Sequence, residues 1–212
     1  MNIVEFFLKG GPIMWPLLLS SVVTVSIVVD RVIFLWKAQR GRSSCDFKEI
    51  QFLVREGQTA NAAAKAEVSS DVVVRVVGAG LQYADSCFAE AVSCAASKEL
   101  SQYEKGLGVL DTAITLAPLL GLLGTVTGMI SSFGILGASE LEAPAAITGG
   151  IAEALIATAF GLGIAIAALL PMNLLNSKRE QLQREIEEAA TEIEIALKSK
   201  PVKAQLKQLR AL

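Results

Sequence analysis

Hydrophobic positions along this chain fall into three long runs, separated by stretches in which apolar and charged residues alternate at helical spacing. The first run, Ile13 to Trp36, is apolar apart from Ser and Thr until Asp30 and Arg31, and Trp15 and Trp36 bracket it as interfacial anchors do. The second and third, Thr112 to Leu136 and Ile147 to Leu175, flank a short break rich in Gly, Glu and Pro. About 20 apolar helical residues cover roughly 30 Å of hydrocarbon, so each run is long enough to cross a bilayer. The pattern predicts an all-α integral membrane protein, with three transmembrane helices extended by cytoplasmic helices.

Charge sets the expected orientation. Arg31, Lys37, Arg40, Arg42 and Lys48 follow the first run, Lys178, Arg179 and Arg184 follow the third, and the break between the second and third carries Glu140 and Glu142 with no Lys or Arg. The positive-inside rule then predicts a periplasmic or interfacial N-terminal helix at 1–12, spans at 13–36, 112–136 and 147–175, a cytoplasmic helical domain at 37–111, a periplasmic loop at 137–146 and a C-terminal cytoplasmic helix at 176–212. A cleaved signal peptide competes for the first run. That run is too long for an h-region, lacks a basic n-region and shows no A-x-A site.

The segment from Asp46 to Asp111 is rich in Ala, Glu, Lys and Val and reads as helices. Val72 to Val77 has strand propensity, but an isolated strand finds no partner in this sequence, so a buried helix is expected there. From Ser86 to Leu107 the helical pattern runs on into the second span and predicts one long helix. Beyond Asn176, Leu182, Ile186, Ala189, Ile193 and Leu197 form a narrow stripe. It suits packing on the chain's own cytoplasmic helices or a coiled coil between subunits. Pro201 ends the regular part, and the basic tail from Lys203 to Leu212 suits anionic headgroups.

Between Thr112 and Leu175 the ionisable side chains are Glu140, Glu142 and Glu153. Glu153 lies about two turns into the third run. A carboxylate at that depth costs at least a few kcal/mol and normally faces a bundle interior or a watered cavity, marking an ion or proton path. A later helix start would instead leave it at headgroup level. In the second run Thr115, Pro118, Gly121, Thr125, Gly128 and Ser132 make one face small and polar, and Ala154, Thr158, Gly161 and Ala165 repeat the device in the third. Small residues let helix backbones approach closely in lipid, so two such faces can meet. Thr125 and Thr158 are expected at one level, with Thr125 roughly 20 Å above the cytoplasmic start of its helix, and Glu153 roughly 7 Å further toward the opposite face. Each hydroxyl can also simply bond back to its own helix.

Composition narrows the function. With 212 residues, 52% of them hydrophobic, and a positive mean hydropathy, the chain suits one membrane domain. A net charge of −2 gives no electrostatic case for nucleic acid. There is no histidine, no nucleophile motif and no phosphate-binding glycine loop, so nothing points to an enzyme, a metal or another cofactor. Cys45, Cys87 and Cys94 fall in the expected cytosolic segment, without C-x-x-C spacing, and read as small packing residues.

The segments L-A-P-L-L-G-L-L-G-T-V-T-G-M at 116–129 and G-I-A-E-A-L-I-A-T-A-F-G-L at 150–162 resemble the two signature segments of the ExbB, TolQ and MotA proton-channel proteins of bacterial inner membranes. The run K-G-G-P-I-M-W-P-L-L-L-S at 9–20 and the three-span layout are similar too, closest to the ExbB/TolQ branch. The resemblance implies a pentamer whose second and third spans line a pore. That pore would enclose helices of an ExbD- or TolR-like single-span protein bearing an essential aspartate, and a TonB- or TolA-like protein would be driven. By that likeness Glu153, Thr125 and Thr158 match the pore-lining acidic and hydroxyl positions, while the roles of Thr127 and Thr148 stay open. A membrane scaffold that conducts nothing, with Glu153 fixing helix register, is the alternative from another class.

Overall fold

The structure is a computed structural model, which describes Phe7 and residues 10–40, 44–136 and 143–198. The N-terminal stretch around Glu5 and Lys9, the break carrying Glu140 and Glu142, and the tail from Lys203 to Leu212 lie outside the described residues. Among the described residues seven helices follow in order: α1 Met14–Arg40, α2 Ser44–Arg55, α3 Thr59–Val68, α4 Val72–Leu81, α5 Phe88–Glu104, α6 Leu107–Leu136 and α7 Ala143–Lys198. The described residues contain no strand. Helices α1, α6 and α7 are long and apolar enough to cross a membrane, and the chain is an all-α, multi-pass membrane protein.

One long helix from Ser86 through the second span is not what forms. The chain breaks at Lys105, with φ −57° and ψ 128°, and at Gly106, with φ +81°. Gly106 is required there twice over. Its backbone lies in the left-handed region that favours glycine, and a Cβ would come within 2.9 Å of Ile27 Cγ2. By contrast, Pro118 and Pro171 sit inside continuous helices.

The chain divides into two compact units, Met1–Ile33 with Gly106–Leu174, and Phe34–Lys105 with Leu175–Leu212. In the second unit, a core of large side chains forms around Ile50, Val54, Val74, Val77, Leu182 and Ile193. Burying each such side chain contributes about 1.5–3 kcal/mol. This burial settles the ambiguity at Val72–Val77 in favour of a helix, since Val74, Val76 and Val77 are all buried. Asp71 starts α4 by accepting the Val73 N–H at 2.9 Å. Gly78 and Gly80 let α4 press against Ala66 of α3 and against Val92 and Phe88 of α5. The stripe Leu182, Ile186, Ala189 and Ile193 is buried in this same core, so it packs within its own chain. Arg75 pairs with Glu99 at 3.2 Å and Arg179 with Glu104 at 2.7 Å around the core's edge. Cys94 is exposed rather than packed, and Cys87 is half-buried.

Candidate functional site

The membrane unit is built on a seam between α6 and α7. On α6 the contact positions are Ala117, Gly121, Gly124, Gly128 and Ser132, four or three residues apart, which keeps them on one helix face. A Cβ at Gly121 would stand 2.9 Å from Thr158 Cα, and one at Gly128 would stand 3.1 Å from Gly150 O and 3.2 Å from Ala154 Cβ. From the other side, a Cβ at Gly161 would overlap Ala117 O. The two small-residue faces therefore meet backbone to backbone. The apolar side chains Leu119, Ile130 and Leu155 point outward and are exposed.

This seam fixes a register that differs from the depth expected from the ends of the apolar runs. Thr158 lies opposite Gly121, and its Oγ1 donates to the Gly121 carbonyl at 3.0 Å. Thr125 is four residues further along α6, about 6 Å or one turn away, and is not level with Thr158. Gly128 lies against Ala154, the residue after Glu153, so Thr125 sits at a depth between Thr158 and Glu153. The reason is physical. Register follows the interlocking of Gly and Ala, whereas the runs' apparent ends are not the helix ends: α6 begins at Leu107 and α7 continues to Lys198.

The three candidate residues also divide by direction. Five residues separate Glu153 from Thr158, so their side chains leave α7 about 140° apart. Thr158 and Thr125 lie at one edge of the seam. Thr125 is half-exposed and donates to Leu122 O of its own helix at 2.7 Å. Glu153 lies at the other edge, half-buried, with its carboxylate against Gly11 in the Gly10-Gly11-Pro12 elbow that leads into α1. Among the described residues no basic group or hydrogen-bond donor is paired with that carboxylate. Thr127 is exposed, and its Oγ1 donates to Leu123 O at 3.0 Å and to Gly124 O at 3.2 Å. Neither the elbow's approach to Glu153 nor the Gly121 carbonyl under Thr158 was foreseen, because both join residues distant in sequence.

A carboxylate within an apolar span is the kind of group that marks ion or proton paths in membranes, and among the described residues no three potential metal ligands cluster. The model of the MotA/TolQ/ExbB proton channel family matches residues 68–188, which include α4 to α6 and the part of α7 that bears Glu153 and Thr158. The chain belongs to this family. It is similar to the putative biopolymer transport protein ExbB-like 1 of Synechocystis, 33% identical over 92% of this chain and 78% of that protein. The biopolymer transport protein ExbB of Neisseria meningitidis is 29% identical over 93% of this chain and 97% of its own length. The Tol-Pal system protein TolQ of Pseudomonas aeruginosa is 40% identical, over 44% of this chain and 41% of that protein.

Proposed function

We propose that this chain is the proton-channel, or stator, subunit of a bacterial inner-membrane energising complex, ExbB-type, coupling the proton motive force to mechanical work for TonB-dependent transport across the outer membrane. Glu153 is the observation that carries the reading. It is an ionisable group within an apolar span, half-buried and without a paired cation among the described residues, and such groups in membranes serve ion or proton paths. A structural carboxylate would be expected to acquire a partner.

In this proposal copies of the chain form a pentamer, the Thr125 and Thr158 edge faces a lumen occupied by an ExbD- or TolR-like single-span protein, and Glu153 exchanges protons from the opposite edge of the same seam. One carboxylate per subunit is a thin relay, so a second acid comes from the partner. The N-terminus is periplasmic and the C-terminus cytoplasmic. The 40% identity to a TolQ over 44% of this chain supports a second reading, a subunit of the Tol envelope system driving a TolA-like protein. Co-purification with the natural partner, followed by its identification, separates the two.

The decisive variant is Glu153→Gln, which keeps size and hydrogen-bonding capacity but cannot ionise. Gradient-dependent transport at matched membrane abundance is expected to fall to background, with Glu153→Asp retaining part of it. A carboxylate that only fixes register should accept Gln readily, because a neutral amide is easier to hold in a low dielectric. Full activity of the Gln variant would return Glu153 to a structural role.

A further inference from the structure

Two glycines of the chain make an instructive pair. Gly57 has φ +88° and nothing within 4 Å of where its Cβ would be, so glycine answers only a backbone requirement there. Gly11 has φ +73° and answers a second requirement as well. A Cβ on it would overlap Glu153 Oε1 and lie 2.7 Å from the carboxyl carbon and 3.3 Å from Cγ. The carboxylate occupies the place a side chain at position 11 would take.

The elbow that offers this place is tied down on every side. Gly10 N–H donates to Phe7 O at 3.1 Å, Met14 N–H to Gly11 O at 3.1 Å and Trp15 N–H to Pro12 O at 3.3 Å. The Phe7 ring meets the Trp15 ring edge-on at 5.5 Å. Just beyond the elbow, Met14 and Leu17 are buried against Ala117, Ala157 and Ile164. Gly10 itself comes so close to α7 that a Cβ there would stand 3.2 Å from Ile156 Cγ2.

We propose that Gly11 is a positioning residue for Glu153: its missing side chain is the seat that fixes where the carboxylate stands, so the first span's entry sets the geometry of the third span's acid. This rests on the reading of Glu153 as the proton-exchanging group. The elbow touches the acid from a segment about 140 residues away in sequence and outside the α6–α7 seam. A methyl forced into an occupied position shifts the equilibrium toward unseated carboxylate.

The test uses the full chain in membranes with its natural partner. A hydrophobic carbodiimide is the probe, and the rate of modification of the residue 153 carboxyl is followed by mass spectrometry of the peptides. Gly11→Ala is expected to raise that rate about tenfold, as overpacking of an occupied site typically shifts such an equilibrium by about five- to a hundredfold. Gly57→Ala imposes similar backbone strain with no neighbour and leaves the rate at the wild-type value. Glu153→Asp draws the carboxyl back by one methylene, so that its carbon takes the place of Glu153 Cγ at 3.3 Å from the added Cβ, and adding Gly11→Ala in that background changes the rate less than it does in the wild type.

A Gly11→Ala rate equal to wild type at matched abundance overturns the inference. If Gly11→Ala fails to accumulate, recovery of the protein in the Gly11→Ala/Glu153→Asp double variant supports it, and equal loss of both overturns it, since the defect is then backbone strain alone. Transport separates this from the function itself. Full activity of Glu153→Gln defeats the proton reading whatever the labelling shows, whereas an inactive Gln variant with unchanged Gly11→Ala labelling defeats only the seat.

Discussion

The two units of this chain pack their helices differently, although each buries some large side chains, Met14, Leu17 and Leu110 in one and Ile50, Val54 and Ile193 in the other. In the unit of Phe34–Lys105 and Leu175–Leu212, large side chains such as Ile50, Val54 and Ile193 are fully buried, as water demands. In the unit of Met1–Ile33 and Gly106–Leu174, Ala117 and Ala157 are fully buried while Ile130 is 66% and Leu155 63% exposed. Lipid tails are as apolar as leucine, so burial in water does not select which side chains lie between α6 and α7, and these helices are held by close backbone contact and a few hydrogen bonds. The same all-α chemistry thus yields a core of large side chains in one unit and, between α6 and α7 of the other, a seam of glycine and alanine.

The strongest way to break that contrast is to put a methyl into the seam. Gly161→Ala places a Cβ onto Ala117 O and 3.3 Å from Gly121 Cα, and backbone atoms cannot turn aside as a side-chain tip can. The cost is expected at or above the upper end of the ~1–3 kcal/mol typical of overpacking. Gly163→Ala, two residues on, meets nothing within 4 Å and should be neutral or slightly stabilising through helix propensity. Thermal unfolding of the detergent-solubilised protein compares the two. Equal midpoints would mean that α6 and α7 are not locked at Gly161.

An effect of comparable size is expected from the opposite operation in the other unit. Ile193→Ala removes a fully buried side chain from among Leu182, Ile186 and the helices packed on them, a change that typically costs about 2–5 kcal/mol. Amide hydrogen exchange in α4 and α5 of the full chain should accelerate accordingly. Wild-type protection would show that the C-terminal stripe is used for something other than this core.

What could be read beforehand follows the same division. Three spans and the helical character of Val72–Val77 were legible because run length and the absence of strand partners are local properties of the sequence. The register of the seam was not. Counting rise from the ends of the apolar runs set Thr125 level with Thr158, but the position is decided by which glycine interlocks with which alanine, and that is pairwise information. The break at Lys105-Gly106 carried a local signal, a glycine inside a helical pattern, yet the continuing apolar periodicity outweighed it. Gly10-Gly11-Pro12 carries a local turn signal, but nothing near it in the chain points to Glu153.

The finest test of the comparison lies in two hydroxyls that look alike in sequence. Thr158 Oγ1 donates across the seam to Gly121 O at 3.0 Å, with Ala154 O of its own helix further off at 3.4 Å, whereas Thr125 Oγ1 donates only within α6, to Leu122 O at 2.7 Å. Hydrogen bonds between membrane helices average about 0.6 kcal/mol, so Thr158→Val should lower stability by about that much. Thr125→Val removes a bond that any isolated helix could make and should leave stability unchanged. If both residues also serve the proposed proton path, transport driven by the gradient falls in both variants while oligomer yield is kept. Thr125→Val is then the cleaner probe of function, because it isolates the loss of a hydroxyl from any loosening of the seam. Wild-type transport in Thr125→Val, and again in the double variant, would remove the hydroxyl edge from the path and leave Thr158 as a clasp between α6 and α7.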